Sequence, residues 1–133
     1  MNMSWERNIV LKSPSEIAVM RQAGKINALA LETVRKMIRP GVTTADLDAA
    51  AEAVIRQHGA IPTFKGYPGP YPYPATICAS VNEQLVHGIP GKRTLQSGDV
   101  ISIDCGSTFE GFVGDAAITV GVGEISPEAH RLI

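Results

Sequence analysis

Between Gly59 and Pro74 no long regular element can run. The stretch holds five of the chain's nine prolines (Pro62, Pro68, Pro70, Pro72 and Pro74) together with Gly59, Gly66 and Gly69. Proline lacks the backbone donor that helices and central strands need. The segment therefore divides the 133 residues into a helical part before it and a strand-like part after it. It is not a flexible linker, because Phe64, Tyr67, Tyr71 and Tyr73 stand among the stiff prolines and give the loop a shape. Two readings are open on this segment alone, a packed surface loop and the wall of a pocket.

Before the loop, Ser13-Pro14-Ser15-Glu16 reads as a helix start with a capping box and proline at the first position. Ile17, Met20, Gly24, Ala28, Leu31, Val34 and Ile38 follow at three- and four-residue steps, predicting one buried stripe to about Ile38, where Pro40-Gly41 stops the helix. Thr43-Thr44 opens a second helix with Asp46 and Asp48 near its positive end, and His58-Gly59 closes it. His58 is read as a cation at a helix C-terminus, and the basic residues of the first helix as a solvated face. After the loop, 76–81, 99–105 and 112–120 read as strands separated by turn signals at Asn82-Glu83, His87–Gly91 and Ser97–Asp99. The class expected is α+β, two helices packed on an antiparallel sheet, in a single domain over residues 1–133.

Composition narrows the function. With 12 Lys+Arg against 13 Asp+Glu the net charge is −1, which argues against a partner bound mainly through phosphates, so no direct nucleic-acid binding is expected. Hydrophobic residues make up 44 %, too many for a disordered chain, and a chain of this length can bury roughly two thirds of its unfolded surface. No stretch reaches the roughly 20 apolar residues of a membrane helix. Trp5, Glu6 and Arg7 occupy the place of an apolar signal core. Cys78 and Cys105 form no CxxC, so neither a disulfide framework nor a zinc knuckle is indicated, and a cytoplasmic, soluble protein is expected.

The chemistry concentrates in Ile103–Asp115. A hairpin centred between Phe109 and Glu110 would set Asp104 directly opposite Asp115, with Cβ atoms roughly 4.5–5.5 Å apart on one face. Two carboxylates so placed repel each other. A shared divalent cation would remove the conflict; a hydrogen-bonded pair sharing a proton and two acids in register by chance are the other readings. His87, beside Gly88 and before the Ile89-Pro90 turn, has an accessible ring suited to proton transfer or to donation toward a developing charge.

The ordered set Gly66-Tyr67, Ile77-Cys78-Ala79-Ser80-Val81-Asn82-Glu83, Val86-His87-Gly88-Ile89-Pro90, Gly98-Asp99-Val100-Ile101, Asp104 and Gly114-Asp115 closely resembles the type I methionine aminopeptidases. The resemblance runs from about Ser13 to Ile133. It implies the N-terminal half of a pita-bread fold, in which two related halves enclose the site. It further implies Asp104 and Asp115 as metal ligands, the latter bridging two divalent ions (Co, Mn, Fe or Zn). By the same resemblance His87 is the catalytic histidine contacting substrate near the scissile peptide, and Phe64, Tyr67, Tyr73 and Cys78 wall the methionine pocket. The reaction implied is removal of the initiator methionine from nascent polypeptides by a hydroxide activated by the metal pair, in association with the ribosome.

Two departures from the family pattern stand out. Pro68-Gly69-Pro70-Tyr71-Pro72-Tyr73-Pro74 carries extra residues, which leaves Tyr71 and Tyr73 as rival pocket walls, and Pro68 stands where a histidine is common. The further histidine and two glutamates of the family's metal site belong to a C-terminal half that lies beyond these residues. His130 follows Ser126-Pro127-Glu128, the start of a short helix needing continuation or packing. The expectation is a truncated chain, weakly active or inactive alone, with no metal held firmly. An alternative follows from the same gap: a non-catalytic binding module or a self-associating half-fold, such as a homodimer. The proline-specific peptidases of the same superfamily are disfavoured by His87-Gly88-Ile89-Pro90.

Overall fold

The computed structural model describes residues 9–133; Trp5, Glu6 and Arg7 lie outside them. Helix α1 spans Pro14–Met37 and α2 spans Thr44–Gln57. Both start as the sequence predicts. The Ser13 hydroxyl accepts from the Glu16 amide while Glu16 Oε2 accepts from the Ser13 amide at 2.7 Å. Thr43 and Asp46 repeat the arrangement at the start of α2. Strands β1 (Ile61–Pro62), β2 (Ile77–Val81), β3 (Val100–Phe109) and β4 (Phe112–Gly121) follow, then the short helix α3 (Pro127–Leu132), none of whose residues is buried. The two-residue β1, hidden in the proline-rich loop, has no periodic signal in the sequence. Among the described residues no helix is long and apolar enough to cross a membrane.

Among the described residues every pairing between these strands is antiparallel and involves β3. Along one edge it pairs with β2 (Ile77↔Cys105 to Val81↔Ile101) and then β1 (Ile61↔Thr108, Pro62↔Ser107). Along the other it pairs over its whole length with β4. The hairpin differs from the sequence expectation. Phe109 faces Phe112, so the turn is Glu110-Gly111, and Asp104 opposes Ala117 while Asp115 opposes Gly106. Glu110 (φ 47°) and Gly111 (φ 82°) both take the left-handed conformation of the two-residue turn that matches strand twist. Centring the turn one residue earlier would force Phe109 into that region, which a bulky side chain resists and Gly111 does not. Each strand shifts by one residue, so the acids keep a common face and become diagonal neighbours.

Alternation along β3 divides the sheet. Ile101, Ile103, Cys105 and Ser107 are fully buried against the helices, while Asp104 and Thr108 face the other way. The core joins these to Ile77, Ala79 and Val81 of β2, Ile26, Ala30, Leu31 and Val34 of α1, and Leu47, Ala51 and Ile55 of α2.

The buried stripe of α1 departs from the predicted one. Leu31 and Val34 are inside, but upstream the buried positions are Ala23, Ile26, Asn27 and Ala30, while Ile17 and Met20 are exposed and Ala28 faces solvent. Close contact decides this rotation. A Cβ on Gly114 of β4 would lie 2.6 Å from the Gly24 nitrogen and 2.7 Å from the Ala23 carbonyl carbon, so the helix backbone rests directly on the strand. Beside this contact the Ser107 hydroxyl donates to Asn27 Oδ1 at 3.0 Å, both residues buried. The predicted stripe includes Gly24 but passes over Ala23, Ile26, Asn27 and Ala30, because close backbone approach and one polar bond, which periodicity does not register, choose the face. Gly114→Ala is expected to cost about 1–3 kcal/mol, since backbone must move to admit the methyl group. Urea unfolding monitored by circular dichroism measures it, with an unchanged midpoint contradicting the packing described.

Candidate active site

The open face of the sheet and the proline-rich loop enclose a cavity of about 590 Å³ lined by Phe64, Tyr67, Tyr73, Cys78, His87, Ile89, Asp104 and Asp115. Cys78 lies directly across from Asp104, so the two share that face. Asp115 lies across from Gly106, whose missing side chain leaves room for a ring. A Cβ there would sit 2.8 Å from Phe64 Cε1. Phe64 thus packs on bare backbone beside the acids. A glycine inside a strand is a sequence sign of close approach, and Gly106 was the available signal for this seat. Ile89 was not singled out by sequence reasoning, although it follows His87-Gly88 on the same turn.

The tyrosines separate clearly. Tyr73 is half-buried and its hydroxyl donates to the carbonyl oxygens of Ile77 (2.9 Å) and Gly88 (3.3 Å). Tyr71 is 90 % exposed and absent from the cavity. Within the loop, the Gly66 amide donates to Tyr73 and the Tyr73 amide to Tyr67, a local closure that the extra prolines preserve.

His87 is exposed at the cavity wall with φ 58°. Its neighbour fixes it. Gly88 accepts from the Ala79 amide at 2.8 Å and donates to Ser80 Oγ at 3.0 Å, and a Cβ at Gly88 would fall 2.9 Å from Ser80 Cα. The backbone of the loop therefore lies flat on β2, and His87 leaves it at a defined point. His58 bonds through Nδ1 to the Val54 carbonyl oxygen, and His130 is exposed on α3.

Electrostatics inside the cavity are set by burial and by the acid pair. Asp104 is held above the ordinary carboxylate range by desolvation first, then by the charge of Asp115 and a carboxyl–carboxyl hydrogen bond, with His87 pulling the other way. Burial raises Cys78 and Tyr73, and pushes the fully buried Cys105 up to about 12. Neutral thiol and phenol make the walls apolar. Hard carboxylate oxygens suit a divalent ion, so Asp104 and Asp115 fit as two of its ligands. Among the described residues no group of three His, Cys, Asp or Glu is placed to hold one.

Two carboxylates of α2 tie the cavity to the helical layer: Asp48, read in the sequence only as a partner of the helix dipole, and Glu52, which carried no signal there. Asp48 Oδ1 accepts the backbone amides of Thr76 (2.8 Å) and Ile77 (2.9 Å). One turn later Glu52 meets Arg56, Lys65 and Thr76.

The profile of metallopeptidase family M24 matches residues 18–133. The methionine aminopeptidase of Clostridium acetobutylicum is 54 % identical over 126 residues, covering 94 % of this chain and 49 % of its own length. Methionine aminopeptidase 1 of Bacillus subtilis is 50 % identical with the same coverage. The crystal structure of a methionine aminopeptidase from Thermotoga maritima superposes with a TM-score of 0.89 at 42 % identity, over 94 % of this chain and 49 % of that one. The architecture is that of about half of the pita-bread fold, and the chain spans about half the length of the curated relatives it matches.

Two outcomes are expected. Gly88→Ala should lower stability by about 1–3 kcal/mol, because the added methyl group meets β2 backbone; a thermal melt no different from the parent would contradict the seating of His87. Glu52 is held below its ordinary 4.5, first by hydrogen bonds from Lys65 and Arg56. A depressed carboxylate stabilises the fold above its unfolded value and loses that contribution as pH falls through the folded one. Urea midpoints recorded from pH 7 downward should therefore show a shallower acid limb in Glu52→Gln. The limb does not vanish, since Glu16, Asp46, Glu83 and Asp99 are also depressed.

Proposed function

Given that this chain belongs to metallopeptidase family M24, we propose that it supplies one half of a methionine aminopeptidase site, the half that receives the N-terminal methionine. The observation that carries this reading is the meeting of aromatic and thiol walls with an acid pair in a single cavity. Phe64, Tyr67, Tyr73 and Cys78 form the seat for a thioether, whose polarizable sulfur favours aromatic edges and sulfur. The Tyr73 hydroxyl is spent on backbone carbonyls, so the wall offers the substrate its ring.

Asp104 and Asp115 are the groups that would hold divalent ions, with further ligands from outside these residues. Such ions would supply Lewis-acid polarisation of the scissile carbonyl and a water acidified for attack at neutral pH. His87 donates a hydrogen bond beside the scissile peptide, where negative charge develops on the carbonyl oxygen. The two aspartates also offer negative charge toward the free α-ammonium group of a peptide. The substrate in this reading is the initiator methionine of new polypeptides, processed in the cytoplasm near the ribosome.

A second reading, a non-catalytic or self-associating module, is favoured by one feature. Among the described residues β4 pairs only with β3, leaving a ten-residue strand edge open beside the exposed Val113, and open edges recruit partners. A clean monomer by light scattering at high concentration would remove the self-associating version.

The pocket is tested by chemical-shift titration of the 133-residue chain with L-methionine amide against L-aspartate amide. Binding with a dissociation constant on the order of millimolar is expected for methionine amide alone; equal response to both overturns the assignment. The chain by itself is expected to release little or no methionine from Met-Ala-Ser with added divalent ions. Pairing it with a polypeptide corresponding to the remaining half of a relative should yield chelator-sensitive release, lowered about 100-fold or more by Asp104→Asn or His87→Ala. Release indifferent to those substitutions would refute their roles.

A further inference from the structure

We propose that Glu52 is a positioning residue for this pocket, a single carboxylate on α2 that sets the aromatic wall against the thiol wall. The proposal rests on the pocket reading above and deepens it. Glu52 Oε2 accepts from Lys65 Nζ at 2.7 Å and from Thr76 Oγ1 at 3.2 Å. Lys65 follows Phe64 and precedes Gly66-Tyr67, whereas Thr76 precedes Ile77-Cys78. One oxygen atom thus grips both ends of the segment that forms the walls. The other oxygen, Oε1, is taken by Arg56 through Nε and Nη2, each at 2.8 Å.

The helix that carries Glu52 is a rigid reference. Leu47, Ala51 and Ile55 fix α2 in the core with no exposure, and Asp48 one turn earlier clamps the amides of Thr76 and Ile77. The loop start is likewise held, by the Thr63 amide on the Gly106 carbonyl oxygen and by a Thr63–Thr108 hydroxyl contact at 2.9 Å. Beyond Phe64 the loop's ties are mostly internal, Gly66 to Tyr73 and Tyr73 to Tyr67. Lys65–Glu52 is the ion pair among the described residues that joins this loop to a helix. Without the carboxylate, Lys65 and Arg56 become neighbouring like charges and Thr76 Oγ1 loses its acceptor. The ammonium is then free to swing, and the rings of Phe64 and Tyr67 lose their fixed distance from Cys78.

The test compares Glu52→Gln, Lys65→Met, the double variant and Arg56→Met. In titrations with L-methionine amide, Glu52→Gln and Lys65→Met should each weaken binding about 5- to 10-fold, the double variant no further, and Arg56→Met less than about twofold. A second readout needs no ligand: the rate at which iodoacetamide alkylates Cys78, with the fully buried Cys105 as internal reference. Glu52→Gln and Lys65→Met should accelerate Cys78 alone, again about 5- to 10-fold. If the parent chain binds methionine amide no better than aspartate amide, the pocket reading fails while the alkylation rates still decide the positioning role. Unchanged rates in Glu52→Gln, acceleration of both thiols together, or an Arg56→Met effect as large as that of Glu52→Gln would overturn the proposal.

Discussion

The alternation of side chains along β3 is the constraint on which the rest depends. Because this strand is paired on both edges, it cannot rotate, and its odd and even positions belong permanently to different environments. Ile101, Ile103 and Cys105 close the helical core. Asp104, one step out of phase, is delivered to the opposite face with Gly106 beside it. The residues that make the chain fold and those that give it chemistry are thus consecutive in sequence and separated by the thickness of one sheet. An acid pair can be tolerated there because it costs the core nothing.

Much of this was legible in the residues because the signals were local. The capping box at Ser13, the proline break and the starts of the strand runs each depend on neighbours within a few positions and appear where the sequence puts them, while β3 runs on to Phe109 and β1 and the second capping box at Thr43 were not foreseen. The hairpin shows how far such reasoning reaches. Sequence spacing centres the turn one residue early, yet the acids share one face in either register, since moving both strands by one preserves parity. The α1 stripe failed for a different reason. Hydrophobicity identifies side chains that prefer burial, whereas Ala23 meets Gly114 of β4 and Asn27 meets Ser107 of β3, partners far downstream in no periodic relation to the helix.

The site divides along the same line. Cavity residues carried by distinctive motifs, such as His87 before Gly88 and the two aspartates, were accessible to sequence reasoning, and the geometry gathers them around one space. Asp48 and Glu52 were not, because an acid in a helix's first turns reads as a dipole partner and one further along as solvated charge. Their partners are the Thr76 and Ile77 amides and the Lys65 ammonium, and nothing in a helical period announces backbone donors from another segment. Tyr73 over Tyr71 was equally undecidable from spacing; two carbonyl oxygens decide it.

The Ser107–Asn27 bond has a consequence for how the two layers meet. A smooth apolar interface would let a helix slide by a turn, about 5.4 Å, at little cost. Here a slip of one turn would bring Ala23 or Leu31 to the place of Asn27, stranding a hydroxyl on the sheet and an amide on the helix in an apolar layer. Each stranded group costs about 1–3 kcal/mol, a sizeable share of the roughly 5–15 kcal/mol of net stability that folded proteins have. The bond therefore works as an alignment pin. It adds little to how strongly α1 adheres and much to where it adheres, so the sheet face beneath it, and every group mounted on that face, has one address.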